Sequence, residues 1–195
     1  MGQLIVVNFV SLDGVMQSVL SADEDRDGGF DHGGWVPPYV DAVVERFMSE
    51  ATAGAAALLL GRRTYDIFAA TWPYADLGDP AVAAMNAMPK YVASRTHRDL
   101  EWANSTLLGA DLAQEVRRVT AASDGETVVL GSGGLLETLI EHDLVDEYRL
   151  LVLPLVLGSG KRLFAPGKAP RRLTLTATRP TPSGVLINTY RHAED

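Results

Sequence analysis

Three short segments place glycine or hydroxyl residues directly after buried-looking apolar runs. Gly61-Arg62-Arg63-Thr64 follows residues 55–60, Ser94-Arg95-Thr96 follows residues 91–93, and Gly131-Ser132-Gly133-Gly134 follows residues 127–130. A strand that turns into a helix or loop in this way exposes free backbone N–H groups, and a helix dipole adds partial positive charge, so such turns attract phosphate. Arginine adds a planar fork of donors that matches a phosphate monoester. The 2′-phosphate that separates NADPH from NADH is such a group, and the arginine-bearing turns therefore predict NADPH. Each segment alone reads equally well as a tight structural turn, and Arg62-Arg63 as a solvated pair; the signal lies in the three together. The glycine turn lacks the third glycine of the usual dinucleotide fingerprint, and the chain contains neither a GxxxxGK[ST] phosphate loop nor a GxSxG nucleophile elbow.

The elements that must position these turns alternate. Residues 4–10 are apolar, and Val40, Val43, Val44, Phe47, Met48 and Ala51 recur at helical spacing. Residues 55–60 read as a buried strand, 62–70 as a helix closed by Trp72-Pro73, 91–94 as a third strand, 106–108 as a fourth, 112–119 as an amphipathic helix, and 127–130 as a fifth strand leading into a helix over 135–141. Residues 147–156 form a long strand, and 172–178 with 185–190 form an antiparallel pair across a turn containing Pro180, Pro182 and Gly184. The expected fold class is α/β: a three-layer α/β/α domain spanning residues 1–195, with a mostly parallel central sheet and an antiparallel C-terminal edge hairpin. Functional residues then belong at the carboxyl ends of the parallel strands. Residues 18–38, polar and rich in Gly and Asp, are long enough for a functional lid, with disorder as the alternative.

Composition sets the outer limits. With 195 residues and 47% hydrophobic content the chain can bury a core without metal or disulfide support. There are no cysteines, which suits a reducing, cytoplasmic setting and removes thiolate chemistry. His32, His97, His142 and His192 are scattered, so no metal site is expected. A net charge of −8 argues against a nucleic-acid partner, and the longest apolar runs are too short to span a membrane.

In chain order, Ser11-Leu12-Asp13-Gly14, Gly61-Arg62-Arg63-Thr64-Tyr65, Ser94-Arg95-Thr96, Gly131-Ser132-Gly133-Gly134-Leu135-Leu136 and Leu157-Gly158-Ser159-Gly160-Lys161 resemble the dihydrofolate reductase superfamily. They are most similar to the bacterial subgroup that is like the reductase domain of riboflavin biosynthesis, and the likeness covers nearly the whole chain. The resemblance implies an NADPH-dependent oxidoreductase, of the dihydrofolate reductase or 5-amino-6-(5-phosphoribosylamino)uracil reductase kind, that transfers hydride to a pterin-like, pyrimidine-like or related heterocycle. It implies a homodimer. It also implies that Gly61 to Thr64, Ser94 to Thr96 and Gly131 to Leu136 hold the cofactor, with a cis peptide at Gly131-Ser132.

On the substrate side the resemblance points to a carboxylate in the first helix, for which Asp41 is the nearest match and Asp13 the second. Asp41 reads equally as a residue complementing the helix dipole, and Asp13-Gly14 as a turn. Trp35 and Tyr39 are candidates for an aromatic wall, with Phe9 near the nicotinamide; Trp35 reads equally as a pin for the loop. Lys161 matches the subgroup's turn, or is a solvated turn lysine. A nicotinamide-nucleotide sensor with the same fold and little catalysis is the alternative function.

Overall fold

The computed structural model describes residues 2–97, 99–167 and 169–193. An extended run that is apolar on both sides must be covered on both faces. Residues 4–10 satisfy this: β1 (Gln3–Ser11) lies inside the sheet, with Leu4, Ile5, Val6 and Val7 at most 1% exposed. The other strands are β2 (Ala57–Gly61), β3 (Lys90–Ala93), β4 (Ser105–Leu107), β5 (Glu126–Leu130), β6 (Glu147–Leu153), β7 (Leu173–Pro180) and β8 (Leu186–His192). Their order is β4-β3-β2-β5-β1-β6-β8-β7. β1 to β6 are parallel, whereas β8 runs antiparallel to both β6 and β7. The sheet is thus the expected mostly parallel one, with the antiparallel hairpin at one edge.

Five α-helices among the described residues cover it. α1 (Ala42–Ala53), α2 (Arg62–Ala69) and α3 (Pro80–Ala87) contribute Val44, Ala51, Tyr65 and Met85 to a core on one face, against Ile5, Val7, Leu58 and Leu60. α4 (Leu112–Ala121) and α5 (Gly133–Glu141) contribute Val116, Val119, Leu136 and Leu139 to a core on the other, against Leu4, Val6, Leu59 and Val129. The sequence reading assigns no element to residues 80–87, where α3 forms. Its start is signalled by Asp79, whose side chain accepts the Ala81 N–H, and by Pro80 at the first helical position. β6 ends at Leu153 rather than at residue 156, because Pro154 has no N–H for the ladder.

The connections out of β1 and β5, which are neighbours in the sheet, lead to opposite faces: β1 to α1 and β5 to α5. Their chains diverge and leave a crevice between the carboxyl ends of the two strands, the place where open α/β sheets bind ligands. Residues 17–36 arch over this end. The arch carries a 3-10 turn at Asp27–Gly29 and is anchored by Gln17 and Ser18, both 3% exposed. The Gln17 side-chain amide donates to the carbonyls of Asp25 and Asp27, its carbonyl oxygen accepts the Lys161 N–H, and its backbone carbonyl accepts from Trp35 Nε1.

Candidate functional site

A groove of about 1060 Å³ runs along the carboxyl ends of β4, β3, β2, β5 and β1. Four inter-strand steps of ~4.8 Å make this roughly 19 Å, long enough for an extended dinucleotide. The volume lies just above the roughly 300–1,000 Å³ usual for small-molecule sites. The groove gathers Gly61, Arg62, Arg63, Thr64, Ser94, Arg95, Thr96, Gly131, Ser132, Gly133, Gly134 and Leu135. Of the residues assigned to the cofactor from the sequence, Leu136 alone is elsewhere: it is fully buried beneath the turn, where the helix period directs it into the core.

The helices around the sheet differ at their N-termini. α1, α3 and α4 are each capped by an aspartate, Asp41, Asp79 and Asp111, whose carboxylate accepts from the first turn. α2 and α5, which open into the groove, have no side-chain cap. Their first N–H groups are therefore available to an anion, and each dipole favours negative charge there. A side chain built at Gly134 would meet no atom within 4 Å, so ligand atoms can approach the α5 backbone.

The two turns are locked together by hydrogen bonds. Ser132 Oγ accepts the Gly61 N–H at 2.8 Å and lies 2.9 Å from the Leu130 carbonyl, and Thr64 Oγ1 accepts the Ser132 N–H at 3.1 Å. Asn8, 5% exposed in β1, engages both polar groups of Gly131: Oδ1 accepts its N–H at 2.7 Å and Nδ2 donates to its carbonyl at 3.3 Å. Asn8 is missing from the residues singled out by sequence, although a polar amide inside an otherwise apolar strand is itself a signal, because such a group needs a buried partner.

One expectation is corrected at this turn. The Gly131-Ser132 peptide is trans, as every peptide bond among the described residues is. The chain turns instead through two successive left-handed residues, Gly131 at φ 57° and Ser132 at φ 64°. Glycine takes this conformation freely and serine at a cost, which the Ser132 hydroxyl's contacts offset.

The arginines are not equivalent. Arg62 pairs with Asp66 at 3.1 Å, and Asp66 also meets His97 Nε2 at 2.6 Å. Arg95 makes no ion pair with any described residue. Arg63, by contrast, is bonded to Asp25 and Asp27 of the arch, and Lys161 reaches the same two carboxylates at 2.7 and 2.8 Å. The cations Lys161 and Arg63 hold the Asp27 carboxyl down at about 2 and lower that of Asp25, despite its partial burial. Lys161 is thus a fastening of the arch rather than a solvated turn residue.

The structure does not bring the substrate-side candidates to the groove. Trp35 is 7% exposed and sits in the core beneath the arch, so it pins the loop; Phe9 and Tyr39 pack against the same core. Asp41 caps α1: Oδ1 accepts from Val43 and Val44, and Oδ2 accepts the Ser183 N–H. Led by Val44, these donors hold its carboxyl far below the ordinary range. Asp13 accepts from the Ser11 hydroxyl at 2.7 Å and from the Leu157 and Gly158 N–H groups, and its carboxyl is lowered to about 2, chiefly by Ser11. It fixes the 157–162 turn to the end of β1.

The chain matches the model of the RibD C-terminal domain over residues 3–187. The chain belongs to the RibD C-terminal domain family. By sequence the chain is similar to YyaP of Bacillus subtilis, 29% identical over 136 residues that cover 68% of this chain and 72% of that one. Solved structures share the RibD C-terminal fold at lower identity. A protein of Shewanella sp. PV-4 assigned to riboflavin biosynthesis superposes at TM-score 0.69 with 21% identity over the whole of both chains. Dihydrofolate reductase of Enterococcus faecalis, solved with NADP(H), superposes at 0.65 with 16% identity over 99% of this chain and 98% of that one. The fold is therefore of the reductase type. No helix of the described residues is long and apolar enough to cross a membrane.

Proposed function

We propose that this member of the RibD C-terminal domain family binds NADPH in the groove and reduces a small heterocyclic substrate, as one domain over residues 1–195 and as a homodimer. The observation that carries the reading is that the two helices opening into the groove, α2 and α5, are the ones without their own side-chain caps. The uncapped first-turn N–H groups, those of Arg62 and Arg63 in α2 and of Gly133 and Gly134 in α5, would hold the pyrophosphate, while the Gly61 and Ser132 N–H groups lock the two turns together. Arg62 and Arg95, with Ser94 and Thr96 beside them, would hold the 2′-phosphate.

When bound, the nicotinamide supplies a hydride to a conjugated C=N or C=O of the substrate. The protein's part is positional. Asn8, Ser132 and Thr64 fix the shape of the turn, so that the groove is rigid before any ligand enters. Neither Asp13 nor Asp41 is placed to protonate the substrate, because the oxygens of both accept structural hydrogen bonds and both carboxyls are held ionised. The proton is then assigned to water entering the open groove. That same occupancy of Asp13 and Asp41 favours a second reading, a nicotinamide-nucleotide sensor with little turnover.

Titration of NADPH and NADH, followed by tryptophan fluorescence, tests the proposal. Tight NADPH binding that falls toward the NADH value in Arg62→Ala is expected; equal weak binding of both nucleotides overturns it. NADPH oxidation across a panel of ring substrates separates the enzyme from the sensor.

A further inference from the structure

The groove has two ends of different charge. Beyond β2 and β3 lie Arg62, Arg95 and His97, of which Arg62 and His97 meet Asp66 and Arg95 pairs with no carboxylate among the described residues. Under the arch, over β1, two cations line the groove, Arg63 and Lys161, and both are bound by Asp25 and Asp27. Glu24 adds a third carboxylate to that wall, accepting the Leu20 N–H.

The two aspartates are not free to swing away. Gln17 holds both of their carbonyls, at 3.1 and 3.0 Å, and Ser18 Oγ accepts the Asp25 N–H at 3.1 Å. The Asp25 side chain is only 13% exposed. A phosphate ester entering beneath the arch would find Arg63 and Lys161 already neutralised, and would meet carboxylates fixed to the buried frame of the loop.

We propose that the hydride acceptor of this protein is an uncharged or cationic ring and not a phosphate ester, with Asp25 and Asp27 as the residues that exclude phosphate. This inference rests on the NADPH reading: a cofactor whose phosphates lie along α5, Arg62 and Arg95 leaves the arch end for the acceptor. It sets the chain apart from a phosphoribosyl-substrate reductase by a device built of four side chains from three separate segments, residues 25–27, 63 and 161.

Calorimetry with ribose 5-phosphate as the probe, on protein first saturated with NADPH, tests the assignment. Wild type is expected to show no binding at millimolar probe. Asp25→Asn/Asp27→Asn frees two charged donors and is expected to gain at least about tenfold in affinity. The gain should disappear when Arg63→Gln and Lys161→Gln are added. Asp27→Asn alone, at a half-exposed position, gives a smaller gain and guards against loss of the fold in the double variant; the NADPH signal reports that the fold persists. Binding of the probe to loaded wild type, or no gain in any variant that still binds NADPH, overturns the proposal while leaving the cofactor reading intact. Failure of wild type to bind NADPH overturns the cofactor reading, and this one with it.

Discussion

Ser132 Oγ stands 2.8 Å from the backbone nitrogen of Gly61, 71 residues earlier in the chain, and this contact joins the β5–α5 turn to the β2–α2 turn. A side chain at Gly61 would lie 3.3 Å from Ser132 Cβ, so the approach depends on glycine at one position and a small hydroxyl at the other. Ser132→Ala leaves the Gly61 N–H without its partner and is expected to cost about 1–3 kcal/mol. Ser132→Gly loses the same bond but relieves the left-handed backbone, and should be about 1 kcal/mol less damaging. Urea unfolding of the two variants checks the order; equal stability of wild type and Ser132→Ala would remove the hydroxyl from the account.

The two adjacent arginines should separate by function. Arg62→Ala is expected to weaken NADPH by about 10- to 100-fold while leaving NADH nearly unchanged, the loss appropriate to a charged hydrogen bond. Arg63→Ala should instead loosen the arch, seen as faster amide exchange over residues 20–30, with the NADPH-to-NADH ratio changed less. A larger loss of NADPH preference in Arg63→Ala would reverse these roles.

Asp13 gives a pH dependence of definite sign. Its carboxyl lies at about 2 in the folded protein against an ordinary 3.8, so the unfolded chain takes up the proton first as the pH falls. Its contribution is complete above pH 3.8 and is lost as the pH drops through about 2. Thermal unfolding of wild type and Asp13→Asn between pH 5 and 2 should show two curves that converge on the acid side. A constant gap would show that the hydrogen bonds at Asp13 do not depend on its charge.

Lys90 is fully buried, and its ammonium donates to the carbonyls of Met85, Asn86 and Met88 while lying 4.4 Å from the Trp102 ring centroid. It closes the C-terminal end of α3, where cations suit the helix dipole. Lys90→Met keeps the length of the side chain but leaves those carbonyls without a donor, and is expected to destabilise the protein by about 1–3 kcal/mol without altering NADPH affinity. Burial pushes the Lys90 ammonium down to about 8, so the unfolded chain is the more protonated between there and the ordinary 10.5. The stability gap to Lys90→Met should therefore widen as pH rises through that window.

The sequence by itself determined the architecture and the place of the groove. Short apolar runs broken by Gly61, Ser94 and Gly131 and alternating with helical patterns read as parallel buried strands, and parallel strands bring their following turns to one edge. Local order along the chain was sufficient for that. What only the tertiary structure decided was the employment of the charged and polar side chains. Arg62 and Arg63 are neighbours in sequence, yet one faces Asp66 on its own helix and the other meets Asp25 and Asp27 from the arch. Asp41 and Asp13 carry the right chemical group for an acid, but partners 142 and 144 residues away, Ser183 and Leu157, hold them as structural acceptors. Trp35 has the right shape for a substrate wall and lies in the core instead. Strand and helix follow from periodicity, which is local, whereas the role of a charge depends on which distant segment supplies its counter-charge, and that is fixed only when the chain has folded.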